Sequence, residues 1–180
     1  MEQKKEKKFL ILVDMQNDFI DGALGTPEAV SIVPNVVNRV RKALEDGECV
    51  IATLDTHGED YMETREGRKL PVPHCIRGTE GWRIRPEIMS LLDGAVFVEK
   101  PTFGSTRLPG IVEELSGGGP FSVELCGLCT DICVVSNAML LKARFPEAEI
   151  SVRGDCCAGV TPEKHAAALE TMASCQIEII

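Results

Sequence analysis

Residues 122–133 read SVELCGLCTDIC, an apolar strand-like run that passes through a turn into a helical pattern continuing to Phe145. Thr130 or Asp131 can cap that helix with a side-chain oxygen, which leaves Cys133 in its first turn. The positive end of the helix dipole lowers the pKa of a thiol at this position, and unpaired backbone amides there can hold an oxyanion. The stretch predicts a nucleophilic cysteine, with a small buried core residue as the alternative.

Outward from this stretch, strand-like and helical patterns alternate along the chain. The predicted strands are Phe9–Val13, Cys49–Leu54, Ala95–Glu99, Ser122–Leu128, Ile150–Val152 and Ile177–Ile180. The predicted helices are Ser31–Glu45, Pro86–Leu92, Leu108–Leu115, Asp131–Phe145 and Pro162–Ser174. This alternation predicts an α/β fold: a three-layer α/β/α sandwich around a mostly parallel, Rossmann-like sheet of about six strands.

Composition limits the classes of partner. At 180 residues the chain is predicted to form a single domain, 1–180, with residues 1–7 as a flexible tail. The net charge of −9 argues against nucleic acid or an anionic membrane as a partner. Eight cysteines without an export signal indicate free thiols in a reducing cytoplasm. The expected partners are a small-molecule substrate and further copies of the chain.

Ionisable or reactive residues stand at the ends of the predicted strands: Asp14, Asp55, Lys100, Cys129 and Asp155. In open α/β sheets, ligands bind outside the carboxyl ends of the strands. These residues are therefore expected to converge on one site. No dinucleotide fingerprint or P-loop is present, which disfavours chemistry that depends on a nucleotide.

A nucleophilic Cys133 needs a base for its proton and a group that stabilises its charged form. Of the three histidines, His165 lies on a predicted exposed helix, and the other two belong to a second group. Asp14 is therefore the predicted base. Lys100 is expected to supply positive charge beside it and to favour the thiolate.

The second group is a candidate metal site. Asp55 and His57 are two residues apart in an extended segment, so their side chains point to the same side. His74 follows in a polar loop. A carboxylate with two imidazoles suits zinc above all, with iron or manganese as alternatives.

Three separated motifs resemble the isochorismatase-like cysteine hydrolases, in order and over essentially the whole chain. Residues 14–19 read DMQNDF, Lys100 follows the third predicted strand, and residues 127–133 read GLCTDIC. The resemblance implies that Asp14, Lys100 and Cys133 form a catalytic triad that hydrolyses small amides through a thioester.

The resemblance also implies the finer features of the site. It predicts a cis peptide bond between Leu128 and Cys129 that turns the backbone N–H groups of Cys129 and Cys133 toward the substrate oxygen. Phe19 and Gln16 match positions in the substrate pocket.

Within this family the ligand pattern resembles the nicotinamidase and pyrazinamidase branch, which implies Asp55, His57 and His74 as metal ligands. The metal of that branch binds the pyridine nitrogen and orients the ring. The implied reaction converts nicotinamide to nicotinate and ammonia.

Two positions depart from the branch pattern: Thr56 stands where tryptophan is frequent, and Pro71 where an aromatic residue is common. Trp82 could supply an aromatic wall or anchor the surface. Another small amide, or a ureido or carbamoyl compound, is the alternative substrate. A catalytically silent, thiol-rich metal-binding protein is the alternative from another class, although Asp14 and Lys100 would have no purpose in it.

Overall fold

Six parallel strands form one sheet in the computed structural model, which describes residues 6–180. The strands are β1 Lys7–Val13, β2 Cys49–Asp55, β3 Val96–Lys100, β4 Phe121–Leu128, β5 Glu149–Ala158 and β6 Glu178–Ile179. Their order in the sheet is β3-β2-β1-β4-β5-β6. Every pairing between neighbours is parallel, so the predicted α/β architecture is confirmed.

Helices flank the sheet. They are α1 Asn17–Ile20, α2 Pro27–Glu45, α3 Arg65–Lys69, α4 Pro86–Met89, α5 Leu108–Ser116, α6 Val135–Arg144 and α7 Pro162–Ser174. A 3₁₀ turn spans Tyr61–Glu63 and a π-helical turn spans Thr130–Val134. No helix in the described part of the chain combines the length and apolarity that a bilayer crossing requires.

The first long helix, α2, begins at Pro27, earlier than the predicted Ser31. The Thr26 hydroxyl accepts a hydrogen bond from the backbone N–H of Ala29 at 3.0 Å, which caps the helix. Pro27 suits the first helical position, because its missing N–H would have no partner there. The apolar face of α2 then packs on the sheet.

The two central strands, β1 and β4, are buried on both faces. Residues 9–13 of β1 are each at most 1% exposed. Burying a large aliphatic or aromatic side chain stabilises the fold by about 1.5–3 kcal/mol. This core fixes the carboxyl ends of both strands at one edge of the sheet.

The strand order reverses between β1 and β4, since the chain runs outward to β2 and β3 on one side and to β5 and β6 on the other. Such a switch point leaves a crevice where ligands bind in α/β proteins. Asp14 directly follows β1, and Cys129 directly follows β4. The topology therefore brings together two residues that lie far apart in the sequence.

Two predictions about where strands begin and end need correction. β1 begins at Lys7, whose backbone N–H donates to the carbonyl of Pro120 at 3.0 Å, so Lys7 is not part of a tail. Residues 1–5 of the predicted tail lie outside the described residues. β5 continues to Ala158, so the exposed Asp155 lies within the strand and not at its end.

A close approach of β1 and β4 requires glycine at position 127. Gly127 has φ +122°, and a Cβ there would lie 2.1 Å from the carbonyl oxygen of Val13. We expect Gly127→Ala to lower the free energy of unfolding by about 3 kcal/mol or more, because backbone strain and overlap with the neighbouring strand add. Urea unfolding measures this loss.

Gly47→Ala is the matched control. Gly47 also has a positive φ, +70°, but a Cβ there meets no atom within 4 Å. In this control the free energy of unfolding should fall by only about 1–2 kcal/mol, because alanine is unfavourable in a left-handed conformation. Equal losses in the two variants would contradict the role of the β1–β4 contact.

Candidate active site

Asp14, Lys100 and Cys133 meet at the switch point. Lys100 Nζ lies 2.6 Å from Asp14 Oδ2 and 3.5 Å from Cys133 Sγ. The three residues are 0%, 1% and 4% exposed, in that order. A buried ammonium group thus lies between a carboxylate and a thiol, which is the arrangement that the sequence predicted.

The backbone and side chain of Asp14 are both fixed. Its φ is +48°, which is uncommon outside glycine and places it in a sharp turn after β1. The Thr53 hydroxyl donates to Asp14 Oδ1 at 2.7 Å. The other carboxylate oxygen is left to face Lys100. The carboxylate therefore has one orientation toward the pocket.

Burial and mutual charge set the protonation of the three groups. Burial raises the pKa of Asp14, and the charge of Lys100 offsets part of this rise. Burial alone would lower the pKa of Lys100, but the negative charges around it outweigh burial and raise it. Asp14 is therefore a stronger base than an ordinary carboxylate, beside a permanent ammonium ion.

The predicted low pKa of Cys133 is wrong. Burial raises the pKa of its thiol well above the ordinary value, and Asp14 raises it further, while Lys100 lowers it. Desolvation of a buried thiolate outweighs the field of one short helical turn. The thiol is therefore protonated at rest, so a nucleophilic role for Cys133 requires a base beside it.

The turn that carries Cys133 is π-helical. The carbonyl of Cys129 accepts hydrogen bonds from the N–H groups of Ile132 at 3.0 Å and Val134 at 3.1 Å. No side chain caps this turn, so the predicted capping by Thr130 or Asp131 is wrong. π-helical turns of this kind are frequent at functional sites.

The capping candidates contact a neighbouring segment instead. Asp131 Oδ1 accepts from the backbone N–H of Val160 at 2.9 Å, and Thr130 Oγ1 is hydrogen-bonded to His165 Nδ1 at 2.8 Å. His165 lies on α7, a largely exposed helix as predicted, but this contact leaves the residue itself half-buried.

Asn137 is a positioning residue that the sequence interpretation missed. It is fully buried, and its Nδ2 donates to the carbonyl of Cys133 at 2.8 Å. Its Oδ1 accepts from the backbone N–H of Ser105 at 2.9 Å, in the loop after Lys100. One side chain therefore ties the cysteine turn to the lysine loop.

The peptide bond between Leu128 and Cys129 is cis, as the resemblance implied. Cys129 is half-buried, and burial raises the pKa of its thiol to about 12. Its side chain therefore stays protonated. The oxyanion role of the Cys129 and Cys133 N–H groups stays a prediction.

A second cluster of side chains lies beside the first. One ligand atom from each of Asp55, His57, Glu66 and His74 lies within 4.8 Å of the others. Asp55 Oδ2 is 2.9 Å from His57 Nε2 and 3.5 Å from His74 Nε2. Glu66 Oε1 is 3.7 Å and 3.8 Å from the same two nitrogens.

This donor set fits a divalent metal. Carboxylate oxygens and imidazole nitrogens suit zinc, iron and manganese. His74 Nδ1 is hydrogen-bonded to the carbonyl of Val72 at 2.8 Å, which leaves the Nε2 lone pair facing the cluster. Burial would raise the pKa of Asp55, but hydrogen bonds from His57 and His74 lower it, so Asp55 is an anionic donor.

Glu66 is the member of this cluster that the sequence interpretation missed. It lies on α3, which Thr64 caps by accepting from the backbone N–H of Gly67 at 3.0 Å. The cap signal was present in the sequence. However, only the folded loop shows that α3 directs this carboxylate toward His57 and His74.

Backbone and side-chain contacts hold the segments that carry His57 and His74 together. The N–H of His57 donates to the carbonyl of Cys75 at 3.0 Å, directly after His74. Asp18 Oδ2 accepts from the N–H of Cys75 at 2.7 Å. Phe19 is buried, with its ring centroid 5.6 Å from that of His74. Residues of the DMQNDF motif thus support the second cluster as well as the first.

The Gln16 side chain fixes the backbone at Asp55, a member of the second cluster. Its Oε1 accepts from the N–H of Asp55 at 2.8 Å, and its Nε2 donates to the carbonyls of Asp55 and Trp82 at 2.9 Å and 2.7 Å. Backbone groups thus use both amide donors, which argues against the predicted substrate contact. Trp82 Nε1 donates to Thr56 Oγ1 at 2.9 Å and so anchors the segment between Asp55 and His57.

The Lys100 ammonium group lies within reach of both clusters, 2.6 Å from Asp14 and 3.3 Å from Asp55 Oδ1. A parallel sheet with a buried carboxylate, ammonium and thiol at its switch point, beside a cluster of metal-ligating side chains, forms a site suited to nucleophilic hydrolysis. Residues 8–180 match the Isochorismatase domain. The chain belongs to the isochorismatase family.

Relatives of known name support the same class. The chain is 28% identical to a nicotinamidase/pyrazinamidase of Mycobacterium tuberculosis, over 95% of this chain and 97% of that protein. It is similar to the pyrazinamidase of Pyrococcus horikoshii in complex with zinc, with a TM-score of 0.83, 33% identity and coverage of 97% and 98% of the two chains. It is also similar to an N-carbamoylsarcosine amidase from Thermoplasma acidophilum, with a TM-score of 0.76, 26% identity and coverage of 96% and 95%.

Proposed function

We propose that this protein is a metal-dependent cysteine amidohydrolase that converts nicotinamide to nicotinate and ammonia. One observation carries the proposal: the buried Lys100 ammonium group contacts Asp14, Cys133 and Asp55, and so joins a nucleophile cluster to a metal-ligand cluster. An enzyme that attacks an amide while holding the ring of the same substrate needs both clusters side by side.

The first step is proton transfer and attack. Asp14 accepts the thiol proton of Cys133, and the sulfur forms a bond to the amide carbon. Lys100 stabilises the thiolate as it forms, because its ammonium nitrogen lies 3.5 Å from the sulfur. The raised pKa of Asp14 makes this transfer easier than it would be to an ordinary carboxylate.

The second step breaks the carbon–nitrogen bond. The N–H groups of Cys129 and Cys133 hold the negative charge on the former carbonyl oxygen. Protonated Asp14 returns its proton to the leaving nitrogen, and ammonia departs with a thioester left on Cys133. Water then attacks the thioester carbon with Asp14 as base, which releases the acid and restores the thiol.

Asp55, His57, Glu66 and His74 would hold a divalent metal, with zinc as the first choice. When bound, the metal supplies a Lewis-acid contact for the pyridine nitrogen and so orients the ring. Phe19, buried against His74, offers an apolar surface for the ring face. The proton transfers are assigned to Asp14 alone.

Ammonia release from a panel of substrates tests this proposal. The panel contains nicotinamide, pyrazinamide, ureido compounds and carbamoyl amines, each offered to metal-loaded protein. We expect nicotinamide to have the highest kcat/KM. Without turnover of nicotinamide, the proposal would be wrong.

Cleavage of a carbamoyl compound is the second candidate. Its support is the similarity to an N-carbamoylsarcosine amidase, together with Thr56 and Pro71 at positions where nicotinamidases often carry aromatic residues. Preferential turnover of a carbamoyl amine in the same panel would favour this candidate.

Metal removal gives a further prediction. A chelator should abolish turnover of nicotinamide, and added zinc, manganese or iron(II) should restore it. The fold should persist, because 42 apolar residues within the described range 6–180 are buried without any contribution from the metal. The loss of binding free energy is about 2.7 kcal/mol for a metal present at 100 times its Kd. The melting temperature with and without the chelator measures this loss of stability.

Glu66→Gln is the matched variant, since it keeps the shape of the side chain and removes its charge. We expect this variant to need a higher metal concentration for half-maximal activity while keeping a similar melting temperature without metal. Complete unfolding on chelation would instead indicate a purely structural metal site.

A further inference from the structure

The connection after β5 and the first turn of α7 both contact the cysteine turn Thr130–Val134. The π-helical turn Thr130–Val134 has no side-chain cap, yet its first two side chains each make a tertiary hydrogen bond. Asp131 Oδ1 accepts from the N–H of Val160, and Thr130 Oγ1 is bonded to His165. The orientation of this short turn is therefore set by another part of the chain.

The contact between Thr130 and His165 is the deeper of the two. Thr130 is fully buried, and its hydroxyl lies 2.8 Å from Nδ1 of the half-buried His165 ring. Partial burial lowers the pKa of His165, although Asp131 opposes this, so the ring is neutral near pH 7. A neutral ring and a hydroxyl satisfy each other, whichever of the two donates.

The backbone beside this contact is closely packed at Gly159. A Cβ on Gly159 would lie 2.8 Å from the backbone nitrogen of His165 and 2.9 Å from Asp131 Oδ1. The end of β5, the start of α7 and the cysteine turn therefore meet at Gly159. A shift of His165 would move the turn as well, because closely packed groups cannot shift without displacing their neighbours.

We propose that His165 is a positioning residue for the nucleophile turn: its hydrogen bond to Thr130 holds Cys133 and the backbone N–H groups of the turn in the geometry that attack on the amide requires. The inference rests on the proposed function, since it assigns a role to His165 in that same reaction. The effect acts through Thr130, because Nδ1 of the His165 ring is hydrogen-bonded to the Thr130 hydroxyl.

Paired variants test the hydrogen bond at both ends. Thr130→Val and His165→Leu remove it, whereas Thr130→Ser and His165→Asn can keep it, because the asparagine amide reaches the position of Nδ1. We expect the first pair to lose about 10- to 100-fold in kcat with KM within about twofold, since a small misplacement of the reacting groups has effects of this size. The second pair should stay within about threefold of wild type.

Two further variants control for packing. Lys164→Leu changes an exposed neighbour on α7 and should leave kcat unchanged. Gly159→Ala should lower kcat as the first pair does, without any change in hydrogen-bonding groups. The double variant of Thr130→Val with His165→Leu should lose no more than either single variant, as expected for two residues that act through one contact.

Hydrogen exchange of the backbone amides in residues 129–134 gives a readout that does not depend on turnover. Exchange should be faster in Thr130→Val and His165→Leu than in wild type, and close to wild type in the two conservative variants. Equal kcat and equal exchange in wild type and His165→Leu would overturn the proposal. So would an equal loss in His165→Asn and His165→Leu. A wild-type protein that cleaves no amide would instead refute the proposed function, and the exchange rates would still decide the positioning role.

Discussion

Cys133→Ala should abolish ammonia release from nicotinamide, with a loss in kcat of about 10⁴-fold or more, because alanine cannot form the thioester. The variant should fold normally. The substitution removes a single sulfur atom, and the ion pair between Asp14 and Lys100 remains intact. The measurements are ammonia release at saturating substrate and the midpoint of thermal unfolding.

Cys129→Ala is the matched control for this prediction. Cys129 stands in the same turn, but the mechanism uses only its backbone N–H, and its thiol is held protonated by a pKa of about 12. We expect Cys129→Ala to keep kcat within about tenfold of wild type, since the oxyanion contact does not involve the side chain. Turnover by Cys133→Ala at a rate comparable to that of Cys129→Ala would contradict the assignment of the nucleophile.

Lys100→Met should have the second largest effect, and it should lower both activity and stability. Methionine keeps the apolar stem but leaves the carboxylate of Asp14 buried without the ammonium group that lies 2.6 Å away. Breaking a buried ion pair on one side costs about 3–5 kcal/mol. The carboxyl group relieves this cost by binding a proton, and in that state it cannot accept the proton of Cys133. We expect kcat to fall by about 10³-fold or more.

A double variant separates the two effects of Lys100. Asp14→Asn combined with Lys100→Met removes both charges, so it should recover part of the lost free energy of unfolding while it stays inactive. Urea unfolding of the wild type, the two single variants and the double variant completes the cycle. Recovery of activity along with stability would mean that Lys100 has only a structural role.

The sequence predicted those residues whose places follow from the topology of a parallel sheet. Asp14, Asp55 and Lys100 each directly follow or end a strand, and the strand order brings them to one edge. His57 could also be placed, because a two-residue spacing in extended chain puts it beside Asp55. The cis peptide bond at Leu128 and the identity of the family came from the resemblance and not from the periodicity.

The features that the sequence did not predict depend on tertiary packing. Glu66 reaches the metal-ligand cluster only because a capped short helix folds back over His57 and His74. The bond between His165 and Thr130 joins residues that no local pattern relates. Asp155 was misplaced because β5 runs past it after a register shift against β4.

The protonation of Cys133 shows why a local rule failed. The helix dipole favours a thiolate, but the dipole of one short turn is a small effect beside nearly complete burial. Only the fold shows that Asp14 and Lys100 surround the sulfur so closely. The oligomeric state stays a prediction from the sequence.

The most direct test of the account is to look for the acyl group on the protein during turnover. Wild-type protein and Cys133→Ala are mixed with nicotinamide, quenched in acid over a millisecond time series, and digested for mass measurement of each cysteine peptide. We expect a nicotinoyl thioester on the peptide that carries Cys133 in the wild type alone. Steady ammonia release with that peptide unmodified throughout, or an acyl group on any other residue, would contradict the account.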